Sequence, residues 1–157
     1  MTSDKSDGAD PAPLHIQNFL TYRLSRVHAR LSAQMVRLLA NGPGVSLMQW
    51  RILAILGDNE PLTRAEVSRL SELDKGQISH CLKTMIRDGL VSTVEDQADQ
   101  QPRLLRLTCK GRELYRQTAP VVVRRQEQLM ASLDAREVQA LNTALNKLER
   151  FAGRTRF

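Results

Sequence analysis

Cysteine, aromatic residues and long apolar runs are all scarce in this chain of 157 residues. Two cysteines, Cys81 and Cys109, are too few for a disulfide scaffold and fit a reducing compartment. No apolar run approaches the roughly 18 residues that would span a membrane. The opening segment, MTSDKSDGADPAP, lacks the apolar stretch of a secretory signal. Membrane and disulfide-rich classes are thereby excluded, and a cytoplasmic protein is expected. His15, His28 and His80 show no metal-ligand spacing with each other or with the cysteines. His80 and Cys81, adjacent on a helix, would point about 100° apart, which is poor geometry for sharing a metal. No local nucleophile–base pair is present either, so neither a metal, a cofactor nor an enzyme is expected. Cys81 reads as a packed, inert thiol. Cys109 follows Thr108 near a helix start, where a thiolate could be stabilised.

Acid is missing from one long stretch. Between residues 14 and 40 there is no Asp or Glu, while Arg23, Arg26, Arg30 and Arg37 form a stripe. The whole chain carries a formal charge of +6. Residues 1–13 are acidic, with Asp4, Asp7 and Asp10 against Lys5, so the body is more basic than the sum. A basic body suggests a polyanionic partner, most often nucleic acid; the same charge could also serve solubility alone.

Residues 1–13 read as a disordered tail. A helix is expected from about Leu14 to Ala40, with the apolar seam Leu20, Leu24, Val27, Leu31 and Leu38. Asn41-Gly-Pro-Gly44 should end it. Three helix starts share one chemistry: Ser46 with Gln49, Thr63 with Glu66, and Asp134 with Glu137 are spaced for capping boxes. Each also has a staple pair, Val45 with Trp50, Leu62 with Val67 and Leu133 with Val138. Helices are expected at 46–57, at 63–71 with Ala65, Val67 and Leu70 inward, and at about 75–88 burying Ile78, Cys81, Leu82, Met85 and Ile86. Gly89 should stop the last of these. Residues 90–94 and 103–107 read as strands joined by the polar loop Glu95–Pro102. Helices follow at about 109–131 and 135–151, the last with the seam Val138, Leu141, Leu145 and Leu148.

The fold class is therefore mainly α with a small β-hairpin wing. Helix, turn, helix and ribbon in this order make a winged helix-turn-helix. The major groove of DNA admits one helix while a hairpin reaches the neighbouring backbone. Lys75, Gln77, Ser79, His80, Lys83 and Arg87 lie on the outward face of the 75–88 helix, although any solvated helix face can look like this. Gln77 can pair with adenine, Ser79 or His80 can bond base edges or phosphates, and Lys83 and Arg87 suit phosphates.

These residues resemble the MarR family of bacterial transcription regulators. The stretch LTRAEVSRLSELDKGQISHCLKTMIRDGLV (62–91) is similar to the family's helix-turn-helix. Leu47-Met-Gln-Trp-Arg-Ile-Leu53 looks like its second helix, and Leu107-Thr-Cys-Lys-Gly111 like its post-wing junction. The resemblance covers roughly 14–151. It implies a homodimer joined by the terminal helices, binding double-stranded DNA at pseudo-palindromic operators. The organisation it implies is a tail at 1–13, a dimerisation helix at 14–44, a winged helix-turn-helix at 45–108 and C-terminal dimerisation helices at 109–157. The expected DNA-contacting set is Arg64, Lys75, Gln77, Ser79, His80, Lys83, Arg87 and Arg103. Two positions depart from the family pattern: Gln101 stands where the wing-tip arginine is usual, and His80 where an arginine commonly follows the serine. Arg103 lies two residues beyond Gln101 and could substitute. The family's peroxide-sensing branch has a reactive cysteine early in the first helix, and none occurs between 14 and 40.

The resemblance also implies a small acidic, often aromatic, inducer. His15, Tyr22, Met48, Trp50 and Arg51 are the candidate lining, because an aromatic wall with a cation suits a carboxylated ring. Trp50 equally fits a plain core role. The expected function is a dimeric transcription regulator, a repressor relieved by such a ligand. The rival reading is a winged-helix protein-interaction module without specific DNA binding, favoured by the near-balanced charge of 62–94 and by Gln101.

Overall fold

A computed structural model of the chain describes residues 14–71, 74–94 and 103–153. The expected tail at 1–13 and the loop Glu95–Pro102, with Gln101, lie outside the described residues. Two compact units result, Met1–Leu38 and Leu39–Phe157.

The first unit is helical. A 3-10 turn at Ile16–Asn18 precedes helix α1, Leu20–Asn41, whose last residues enter the second unit. A continuous helix from Leu14 is thus corrected. His15 makes no side-chain cap, and Phe19 adopts an extended conformation between the turn and α1. With no capping oxygen holding the earlier amides, the first stable α-turn waits for the Arg23 N–H to reach the Phe19 carbonyl at 3.0 Å.

In the second unit the three expected capping boxes form. The Gln49 amide donates to Ser46 Oγ at 3.1 Å while the Ser46 amide donates to Gln49 Oε1 at 2.9 Å, opening α2 at Leu47–Asn59. The Thr63 amide donates to Glu66 Oε2 at 2.7 Å while the Glu66 amide donates to Thr63 Oγ1 at 3.2 Å, opening α3 at Arg64–Ser71. Asp134 and Glu137 do the same for α6, Ala135–Ala152. Helix α4 is Lys75–Arg87 and helix α5 is Cys109–Met130. Two expected strands appear as β2, Val91–Val94, and β3, Leu104–Leu107. A third, β1 at Leu62–Thr63, pairs antiparallel with β3, giving the order β1-β3-β2. Two residues are too few to show the period-2 alternation that marks a strand in sequence.

The core sits between α2, α4 and the sheet. Ile52, Leu53, Leu56, Val67, Ile78, Leu82 and Met85 are fully buried, with Val91, Leu105 and Leu107 beneath them. Cys81 and Ile86 are only half-buried. The inward face expected for α3 is corrected: Ala65 and Leu70 are exposed, and Ser68 is buried beside Val67. An eight-residue helix packing on α2 along one narrow strip has room for little more than those two side chains. No residue of α6 is buried.

Candidate nucleic-acid interface

Helix α4 is set in place from both ends. At its start, Asp74 accepts the Gly76 and Gln77 amides at 2.9 and 3.1 Å, a fourth side-chain cap beside the three expected from sequence. At its end, Gly89 takes a left-handed φ of +70°, where an L side chain would be strained, and the chain turns into β2. The post-wing junction then closes on that turn. Thr108 Oγ1 donates to the Gly89 carbonyl at 2.6 Å, and Lys110 Nζ donates to the Asp88 carbonyl at 2.9 Å. A cation at the C-terminal end of a helix also favours the helix dipole. Gly111 permits this closeness: a Cβ there would lie 2.0 Å from the Leu90 carbonyl oxygen.

With Ile78, Leu82 and Met85 fully buried, α4 presents its opposite face to solvent, and His80, Lys83 and Arg87 occupy it. Arg87 pairs with Asp88 at 3.1 Å, but its side chain is 75% exposed, so the pair holds it weakly and a phosphate could replace the partner. The flanks of α4 differ. Lys75 and Ser79 face the sheet and, with Arg64, Arg69 and Arg103, line a concavity of about 1130 Å³ between α3, α4 and the wing. Gln77 and His80 line a second groove of about 770 Å³ with Ser46, Met48 and Gln49 at the start of α2. The expected DNA-contacting residues therefore fall into three groups: a basic rim on the wing side (Arg64, Lys75 and Arg103, with Ser79), an exposed centre (Lys83 and Arg87), and Gln77 with His80 towards α2. Arg69 belongs to the rim and was not singled out in sequence. It lies five residues from Arg64 with no motif to mark it, and only the fold of α3 against the sheet brings it in.

A carboxylate ties the wing to the rest of the unit. Glu60 Oε2 accepts the Leu107 amide at 2.7 Å, and Oε1 accepts Arg112 of α5. Burial pushes the Glu60 carboxyl up, but the Leu107 amide, the Arg112 guanidinium and the charge of Arg106 outweigh it and hold the pKa below the usual 4.5. The Glu66 carboxyl is lowered by the Thr63 amide and hydroxyl. Burial raises the pKa of the Cys81 thiol, which favours its protonated form.

The residues proposed to line a ligand site are divided between the two units. His15 and Tyr22 are exposed on the first unit. In the second unit Met48 faces the α4 groove, whereas Trp50 stacks on Tyr115 of α5 with centroids 6.0 Å apart and planes at 10°. The Tyr115 hydroxyl donates to Asp58 at 3.0 Å, a bond that raises its pKa. Arg51 is half-buried.

A winged helix-turn-helix with a basic recognition face is the class this geometry defines. Residues 44–101 match the model of the MarR family. The transcriptional repressor IacR of Pseudomonas putida is 29% identical over 129 residues, covering 82% of this chain and 77% of that one. The structure of S. aureus MepR in complex with DNA superposes with a TM-score of 0.77 at 16% identity, covering 85% and 98% of the two chains. Bordetella bronchiseptica BpsR, whose DNA binding is regulated by 6-hydroxynicotinic acid, also gives 0.77, at 20% identity and 87% and 97% coverage. The winged helix-turn-helix of this chain is thus similar to that of the MarR family of transcription regulators.

Proposed function

We propose that the chain is a homodimeric, sequence-specific DNA-binding repressor whose DNA affinity a small acidic ligand lowers. The observation that carries the DNA reading is the face of α4: His80, Lys83 and Arg87 stand exposed while the basic rim of Arg64, Arg69, Lys75 and Arg103 flanks it on the wing side. In this reading α4 enters the major groove, Gln77, Ser79 and His80 meet base edges, and the lysines and arginines meet phosphates. Repression is supported by the likeness to IacR, and DNA as partner by the fold shared with MepR.

Residues 14–44 and 109–157 serve dimerisation in this reading. Leu20, Leu24 and Val27 on α1, and Leu141 and Leu145 on α6, expose an apolar seam that is costly in water. An isologous two-fold pairing would cover such seams and set two recognition helices about 34–36 Å apart. The ligand reading rests on the fold shared with BpsR, whose DNA binding is regulated by 6-hydroxynicotinic acid. A ligand preferring a lobe spacing that DNA does not accept lowers DNA affinity by the same coupling free energy.

Selection of bound duplexes from a random library tests the reading. Recovery of a pseudo-palindrome with half-sites one turn apart supports it. No enrichment at low or moderate salt sinks it and leaves the protein-interaction module. Once an operator is known, Gln77→Ala should relax preference at one base position, costing about 1–3 kcal/mol, whereas Lys83→Ala should weaken all duplexes alike.

A further inference from the structure

The base of the wing is held by a device outside the recognition face. Strand β1 pairs with β3 only through Leu62 with Leu105 and Thr63 with Leu104. Continuing that register by two residues places Glu60 opposite Leu107, with Pro61 between. Pro61 has no N–H to offer, so the ladder cannot run on as a strand. The Glu60 carboxylate takes the Leu107 amide at 2.7 Å. Its other oxygen accepts Arg112, one turn into α5, and the Glu60 side chain is only 17% exposed. A hydrogen bond to an ionised acceptor in such a half-buried place is stronger than a neutral one. The same turn of α5 carries Thr108 and Lys110, which hold the carbonyls of Gly89 and Asp88 at the end of α4. Six residues, Leu107 to Arg112, thus bind the end of the recognition helix on one side and the last wing strand on the other.

We propose that Glu60 and Arg112 are positioning residues for DNA binding: clamped through the Leu107 amide, they fix the wing strands relative to α4, so that wing and recognition helix meet one duplex together. Neither side chain touches DNA in this role. The proposal rests on the DNA reading above, and its test separates the two.

Hydrogen exchange of the β2 and β3 amides is compared in the wild-type chain, E60A, E60Q and R112M, alongside hydroxyl-radical footprints on the selected operator. In E60A the protection of Leu107 and its strand neighbours should fall about tenfold or more, while amides around Ile52, Leu53 and Leu56 keep theirs. The footprint should lose the segment flanking each half-site but keep base preference under α4. E60Q, whose amide oxygen still accepts the Leu107 N–H, should recover part of both. R112M should lie between E60Q and E60A. Unchanged exchange at β3 in E60A, or in E60Q and R112M should E60A not fold, overturns the proposal whatever DNA does. So does a footprint that fades evenly across the operator. If the wild-type chain selects no duplex, the DNA reading falls; loss of β3 protection in E60A and E60Q then still supports the clamp on the wing.

Discussion

Helices α4 and α6 begin alike and end in different surroundings. Each is capped by an aspartate that accepts two backbone amides, Asp74 for α4 and Asp134 for α6. Each carries an apolar stripe at helical spacing. Yet α4 buries Ile78, Leu82 and Met85 completely, and α6 buries nothing, leaving Leu141 45% and Leu145 36% exposed. Local chemistry starts a helix and marks which face must be covered; it does not say what covers it. For α4 the cover is the rest of its own unit, chiefly α2 and β2. For α6 a second copy is the proposed cover, and that difference can be tested.

The largest expected effect separates the two helices directly. Leu82→Ala should cost about 2–5 kcal/mol in urea unfolding, independent of protein concentration, because it empties a closed core. Leu145→Ala should cost far less in dilute solution and should shift unfolding only where the wild-type chain is dimeric. A Leu145→Ala loss as large and as concentration-independent as that of Leu82→Ala would break the comparison.

Gly111→Ala comes next, at about 1–3 kcal/mol or more by thermal unfolding, because the added methyl meets the Leu90 carbonyl where α5 closes on the end of α4. The caps follow. Asp74→Ala and Asp134→Ala should each cost about 1 kcal/mol. Only Asp74→Ala should also weaken DNA binding, since it frays the start of α4.

Acid should have the smallest effect near neutrality. The Glu60 and Glu66 carboxyls are lowered in the folded chain, so each contributes stability that is full above the usual 4.5 and lost as pH falls through the folded pKa. Stability should therefore be flat in this respect above about pH 5 and decline below it. E60Q should remove part of that decline, measured by unfolding midpoints across the acid range.

Much of this was legible in the residues. The capping pairs Ser46–Gln49, Thr63–Glu66 and Asp134–Glu137 mark three helix starts because cap and backbone lie three residues apart, and a short-range bond leaves a short-range signature. The buried stripe Ile78, Leu82 and Met85 was legible for the same reason of period. The inward face of α3 was not, because eight residues give too few repeats to separate Ala65 and Leu70 from Val67 and Ser68. Of the candidate interface, the outward residues of α4 follow from its buried ones, but their grouping does not. Arg69 joins Arg64, Lys75 and Arg103 only when α3 folds against the sheet, and Trp50 finds Tyr115 sixty-five residues along the chain.

By itself the sequence determined the helix boundaries except the start of α1, the order of elements, the winged helix-turn-helix and its basic character, since caps, periodicity and charge act within a few residues. Tertiary structure alone decided that Leu62–Thr63 is a strand, that Glu60 reaches Leu107 across 47 residues, and which cations share a rim. Those pairings depend on which surfaces meet when the core between α2, α4 and the sheet closes, and packing of that range leaves no local mark in the order of residues.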